Sequence, residues 1–154
     1  MINEKEIHPL VGSDLNTFIF AGNATFTLVN ESTGNRFTYR IRKAGYGTST
    51  FNENVGIFYV SVLNGSDNNS SYTFLGTYFG GTNQMYRHSV KSKIGISAGS
   101  NQVITWFFSK FIKNPTLFST IKVHHAGKCG RCGKKLTTPE SVKSGLGPKC
   151  GNRI

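Results

Sequence analysis

The stretch Arg36-Phe37-Thr38-Tyr39-Arg40-Ile41-Arg42 alternates without a break between polar and apolar side chains. Successive side chains of a β-strand point to opposite faces. Phe37, Tyr39 and Ile41 therefore share one face, and Arg36, Thr38, Arg40 and Arg42 share the other. The period of two predicts a strand with one buried and one wet side. Upstream, residues 24–30 are rich in β-branched and aromatic types, and Glu31-Ser32-Thr33-Gly34-Asn35 supplies turn chemistry between the two runs. A hairpin is predicted. Further out, residues 17–21 read as a short first strand. The near-continuous apolar run 57–63 reads as a central strand, 72–79 as another, and 85–90 as an edge strand. Residues 43–55 and 64–71 are Gly-, Ser- and Asn-rich loops, and Gly80-Gly81-Thr82-Asn83 is a turn. Residues 1–16 show no period and read as an irregular lead-in.

The period changes at Ser100. Ile104, Phe107, Phe108, Phe111 and Ile112 recur at helical spacing, with Val103 and Trp106 widening the stripe. A helix over 100–113 is expected, with Ser100 as N-cap and Asn114-Pro115 as the stop. Its aromatic face suits packing on the sheet, and residues 116–124 read as extended. Hydrophobic residues make up 37% of the 154 and charged residues 16%. Twelve Phe, six Tyr and one Trp supply large side chains for a core. No stretch approaches the ~20 apolar residues of a membrane span. The N-terminal residues lack the basic start and apolar run of a secretion signal. A reducing, cytoplasmic setting is expected, where clustered cysteines more often mean metal than disulfides.

All three cysteines lie near the C-terminus: Cys129, Cys132 and Cys150. Cys129-Gly130-Arg131-Cys132 lets two thiolates grip one ion from a tight turn, with flanking glycines to permit it. Lys134 and Lys135 add positive charge that favours thiolate. Thr138-Pro139-Glu140-Ser141 reads as a helix start and Gly145 as its stop. Gly147-Pro148-Lys149-Cys150 then returns the third thiolate. A structural zinc takes four ligands, so one place remains. His124 and His125 are adjacent and would point opposite ways in an extended segment, so one of them coordinates, with His125 preferred. A disulfide would strand one thiol. A catalytic zinc needs an open position and a nearby acid or base, and the one carboxylate of the region, Glu140, is assigned to the helix start. One structural Zn2+ is predicted.

The string His125-Ala-Gly-Lys-Cys129-Gly-Arg-Cys132-Gly-Lys-Lys-Leu136-Thr-Thr-Pro139-Glu140-Ser141, with Gly145-Leu-Gly147-Pro148-Lys-Cys150, resembles an uncharacterised zinc-binding domain family of bacteriophage and mobile-element proteins. The resemblance covers about residues 125–150. It implies His125, Cys129, Cys132 and Cys150 as ligands and supplies no activity. By analogy, small stand-alone phage proteins include zinc-carrying inhibitors of host defence of the anti-CRISPR type.

The fold class expected is α+β: a mostly antiparallel sheet, one long helix packed on it, and a C-terminal zinc module. The division expected is a β-rich domain over 1–118 and a zinc-binding module over 119–154. Charge is uneven. Thirteen of the 18 basic residues but one acidic residue lie in 87–154, and such a field attracts phosphates or an acidic protein surface. Lys128, Arg131, Lys134, Lys135, Lys143 and Lys149 surround the metal module, and Arg36, Arg40 and Arg42 share a strand face. They are the candidate partner-binding residues. No Walker loop, nucleophile elbow, His-Glu-x-x-His or carboxylate pair is present, and His8 and His88 are isolated. The chain is therefore expected to bind rather than catalyse, with no membrane and no small-molecule substrate. The leading expectation is an inhibitor of a host nucleic-acid defence effector, a Cas nuclease for example. The alternative is a basic DNA- or RNA-binding accessory protein of phage or prophage.

Overall fold

A strand with one apolar and one polar side needs cover on one face only. The structure is a computed structural model that describes residues 8–10, 13–44, 56–64, 71–80, 84–136 and 139–147. Its strands are β1 (His8–Pro9), β2 (Asn23–Asn30), β3 (Arg36–Lys43), β4 (Ile57–Leu63), β5 (Tyr72–Phe79), β6 (Met85–His88) and β7 (Ile121–His125). They form one sheet in the order β1-β7-β2-β3-β4-β5-β6, with every pair antiparallel. Three short helices accompany it: α1 (Ser13–Ile19), α2 (Gly99–Trp106) and α3 (Pro139–Ser144). Among the described residues, no helix is long and apolar enough to cross a membrane.

The β2–β3 hairpin follows its turn chemistry. Asn30 Oδ1 accepts the N–H groups of Ser32 and Thr33, and Gly34 takes the left-handed φ of +79° that closes the turn. Tyr39 and Ile41 are fully buried, while Arg36 and Arg42 are exposed. The predicted loops fall largely outside the described residues, at 45–55, 65–70 and 81–83.

Two expectations are corrected. Residues 17–21 do not form a strand, because 13–19 are helical. Leu15, Phe18 and Ile19 are buried at helical spacing, and the Thr, Phe and Ile of that stretch mask the pattern in the sequence. The second concerns the long helix. It begins at Gly99, with Ala98 as a cap that makes no side-chain bond, so Ser100 lies inside it. Only Gly99–Trp106 is α-helical; Phe107–Phe111 is wound as a π-helix, with the Ile112 N–H bonded to the Phe107 carbonyl at 3.0 Å. The wider turn seats three bulky rings in the core. Phe107 stacks on Phe26 and on Phe111, each at 5.6 Å, and Phe108 stacks on Tyr78 at 4.4 Å. Pro115 opens a short 3-10 turn after Asn114, so the rod stops where expected.

The rings that the helices bring to the sheet meet one face only. Besides Phe107 and Phe108, Phe20, at the end of α1, contacts Phe58 and Tyr78. Two phenols then pin α2. Tyr39 donates to the Ser100 carbonyl at 2.7 Å, and Tyr86 donates to Asn101 Oδ1 at 2.8 Å while Asn101 Nδ2 reaches the Ile96 carbonyl. The expected boundary at 118/119 falls just before β7, which pairs with both β1 and β2. The segment leading to the cysteines is thus an interior strand of the sheet.

Burial pushes the Tyr39 and Tyr86 phenols well above their ordinary range, and Tyr86 adds to the rise at Tyr39. In the unfolded chain they ionise near pH 10. Their contribution is therefore complete below about pH 10 and is lost as pH rises beyond it, by about 1.4 kcal/mol per pH unit for each phenol. Urea unfolding at stepped alkaline pH should show this fall, and Tyr39→Phe should flatten it. Phe108→Ala should cost about 3–5 kcal/mol in the same assay at neutral pH.

Candidate functional site

Residues 127–136 fold back on themselves as a knuckle. Gly127 and Gly133 each take a φ of +79°, which lets the chain reverse. The Leu136 N–H bonds to the Gly127 carbonyl at 2.9 Å, Cys129 N–H to Lys134 at 2.8 Å, and Gly133 N–H to Cys129 at 2.9 Å. Lys128 and Lys135 stand opposite one another across this hairpin. Cys129 is buried and Cys132 exposed at the same turn. The Arg131 N–H points at Cys129 Sγ from 3.4 Å. Burial raises the Cys129 thiol, but the N–H groups of Gly147, Cys132 and Arg131, with the Cys132 side chain, together bring it below its ordinary value. Donors aimed at sulfur favour thiolate, the form a metal takes.

Phe18 of α1 is the wedge that seats this knuckle. Its ring lies 5.6 Å from that of His125. A methyl group on Gly130 would stand 2.7 Å from Phe18 Cδ1, and one on Gly145 would meet the same atom. The Gly130 N–H bonds to the Gly145 carbonyl at 2.8 Å, and its carbonyl receives the Asn23 N–H at 2.6 Å. The knuckle is thereby tied to the end of α3 and to the start of β2. α3 begins at Pro139, and Gly145 takes the φ of +78° that ends it, as the sequence predicts; Thr138 lies outside the described residues.

The two adjacent histidines do point opposite ways. His125 is buried on the covered face beside Phe18, and His124 lies on the other, opposite Thr27. Nδ1 of His125 accepts the Gly127 N–H at 2.9 Å, and Nε2 stands 2.5 Å from the Val142 carbonyl of α3. Both ring nitrogens thus meet backbone groups. A carbonyl accepts, so Nε2 carries the proton in this arrangement. Among the described residues, no three His, Cys, Asp or Glu side chains gather as a metal-holding group. Cys150 and Lys149, predicted as ligand and basic residue, lie outside the described residues.

The predicted basic residues fall into two groups. Lys128, Lys134, Lys135 and Lys143 are exposed around the knuckle, with Arg131 half-buried. Arg36, Arg40 and Arg42 lie on the uncovered sheet face. The groups meet at Asn23: Arg42 Nε donates to Asn23 Oδ1 at 3.1 Å, and a methyl group on Gly133 would lie 3.2 Å from Asn23 Nδ2. Arg40 stacks 4.2 Å over the Tyr72 ring. Burial first, then Arg42, lowers its pKa, while Tyr72 raises it, and a guanidinium remains charged throughout.

Composition alone assigns Tyr59, Tyr72, Phe74 and Phe79 to the core, yet they lie on the face that the described helices leave uncovered. Period two in 57–63 already places Tyr59 opposite Phe58 and Val60. An apolar cleft between α2 and the β2–β3 hairpin, flanked by Phe37, Val103 and Trp106, has no ionisable side chain in its described lining. His88 bonds to the Ile94 carbonyl at 2.7 Å, and His8 has no described side chain.

A protein family described as a family of unknown function, DUF6011, matches residues 124–154. The matched segment holds both histidines, the knuckle, α3 and Cys150, and the description attaches no activity to it. Neither the curated proteins nor the solved structures contain a match to this chain.

Gly130→Ala should destabilise the fold by roughly 1–3 kcal/mol, since Phe18 must yield to the new methyl group. Gly147→Ala, which would meet nothing within 4 Å, should leave the melting temperature near that of the parent.

Proposed function

We propose that this chain works by binding nucleic acid, with its C-terminal module held by one structural zinc ion. The observation that carries the reading is the junction at Asn23, where the β3 arginine row runs into the lysine-rich knuckle. Within that knuckle Lys128 and Lys135 stand opposite one another. Like charges directly opposite on paired strands repel, and an anionic partner relieves that cost. Phosphate contacts of this kind carry no base sequence.

Zinc fits the residues present. Cys129 and Cys132 stand on one tight turn whose N–H groups favour thiolate at Cys129, and His125 and Gly130, the residue after Cys129, both pack on Phe18. Cys150 supplies the third thiolate in this reading. His125 would exchange its Val142 contact for the ion. The ion crosslinks a module too small to be stable on its own core.

Purified chain should contain one zinc per molecule by elemental analysis. Cys132→Ser should lose it and lower the melting temperature. Undiminished zinc in His125→Gln together with loss in His124→Gln would move the fourth ligand to His124. Wild-type melting after Cys132→Ser or chelation would defeat the structural role.

Binding to a labelled duplex should weaken steeply with salt. About four phosphate contacts give a slope near −3.6 in log K against log salt, about a hundredfold between roughly 50 and 200 mM. No affinity for DNA or RNA, with a salt-tolerant complex formed instead on a Cas-type defence nuclease, would favour the protein-inhibitor reading.

A further inference from the structure

The uncovered face of the sheet carries rings as well as cations, and the phosphate contacts above leave the rings unused. Tyr59 of β4 is 47% exposed and Phe79 of β5 is 40% exposed. Tyr59 meets Phe74 edge to face, with centroids 6.3 Å apart at 73°. The Arg40 guanidinium sits 4.2 Å over the Tyr72 ring centroid, and exposed Arg87 of β6 stands across from Thr77. None of the seven described strands contains Asp or Glu, so the charges these strands contribute to the face are those of Arg and Lys.

Register brings these groups together. Arg42 pairs with Tyr59, Tyr59 with Thr77, Ser61 with Phe74, and Ile57 with Phe79. Between Phe74 and Thr77, Leu75 is an extra residue, and both it and Gly76 turn inward. This bulge returns Thr77 and Phe79 to the face of Tyr72 and Phe74. Only glycine fits at position 76, because a methyl group would meet the Arg87 carbonyl and stand 2.8 Å from the Tyr86 hydroxyl.

Exposed rings grouped on one face mark a recognition surface. A purely apolar protein partner would make no use of the guanidinium charges, and a duplex hides the flat faces of its bases. A single strand offers both a π-face for each ring and a phosphate for each cation. Neighbouring strands lie roughly 4.8 Å apart, so rings on β4 and β5 reach successive splayed bases. We propose that this face, through Tyr59, Phe74, Phe79, Arg40, Arg42 and Arg87, is a stacking platform for single-stranded nucleic acid. The proposal rests on the nucleic-acid reading above and narrows it to unpaired strands.

The test is fluorescence anisotropy of the full chain with labelled oligothymidylate, oligouridylate and a duplex, each of about 20 nucleotides, enough to span an OB-fold-sized site. One or both single strands should bind at least tenfold tighter than the duplex at matched salt. Tyr59→Ala and Phe79→Ala should each weaken single-strand binding about tenfold, in keeping with the loss of one stacked base, with the salt slope unchanged. Arg87→Gln should reduce that slope by about 0.7. Tyr59→Trp should bind like the parent and show quenched indole emission on adding strand. All three positions are exposed, and an unchanged thermal melt verifies each fold. Equal affinity for duplex and single strand, with Tyr59→Ala neutral, would overturn the platform and leave phosphate binding standing. Absence of binding to all three probes would overturn both. So would sedimentation showing a dimer that Tyr59→Ala dissociates without any nucleic-acid affinity.

Discussion

Among the described residues, seven strands share a single layer of helical cover, and that cover lies on one side. Its bulk is aromatic. Phe107 and Phe108 reach across to Phe26, Tyr78 and Tyr86, and the π-wound turn lets neighbouring rings enter together. Flat rings fill such a layer without fixing the helix along its axis, and the Tyr39 and Tyr86 hydroxyls supply that registration through Ser100 and Asn101. Loss of a buried phenol hydroxyl that has one good partner costs about 1–3 kcal/mol. For Tyr86 that loss would take the phenol donor from Asn101 Oδ1. What the cover leaves bare is as much a product of this arrangement as what it protects.

The C-terminal module depends on the same sheet. β7 enters between β1 and β2, so the chain reaches its cysteines directly from an interior strand. Alternation along that strand sends Val123 and His125 inward and Lys122 and His124 outward. Phe18 then fills the space among His125, Gly130 and Gly145. Two glycines are needed because the ring occupies the places where their side chains would stand. Knuckle, α3 and sheet are therefore joined by the packing around Phe18, by a second cluster of Ala21, Cys129, Leu136 and Leu146, and by a short chain of backbone bonds.

Much of this was legible in the sequence. The alternation of residues 36–42, the Asn/Gly turn before it, the Cys-x2-Cys knuckle and the Pro139 to Gly145 helix each rest on local stereochemistry, and the structure has the turn, the strands and the helix in those places. Helix α1 escaped because Thr17, Phe18 and Ile19 favour strands in isolation, and only tertiary burial of Leu15, Phe18 and Ile19 reveals their helical period. The π-helix escaped because its apolar spacing is close to that of an α-helix; the difference lies in how three rings share a core. The grouping of Arg42, Asn23 and Gly133 depends on register between distant segments, which no local pattern encodes. Strand geometry sends His124 and His125 to opposite faces without saying which is covered, and the contacts of His125 with Gly127 and Val142 come from tertiary packing.

The extra residue in β5 sets a parity for everything beyond it. Tyr72 and Phe74 are even-numbered and Thr77 and Phe79 odd, yet all four emerge on the same side. Removing Leu75 would place Phe74 beside Gly76, and an unbroken two-residue rhythm would carry the same side chains to the same faces. Straightening the strand at its full length would instead turn its second half over, sending Tyr78 out and Phe79 in, and the Phe20–Tyr78–Phe108 stack would lose its middle ring. The kink at Leu75 is consequently what lets a strand of this length keep the two sides of the layer distinct.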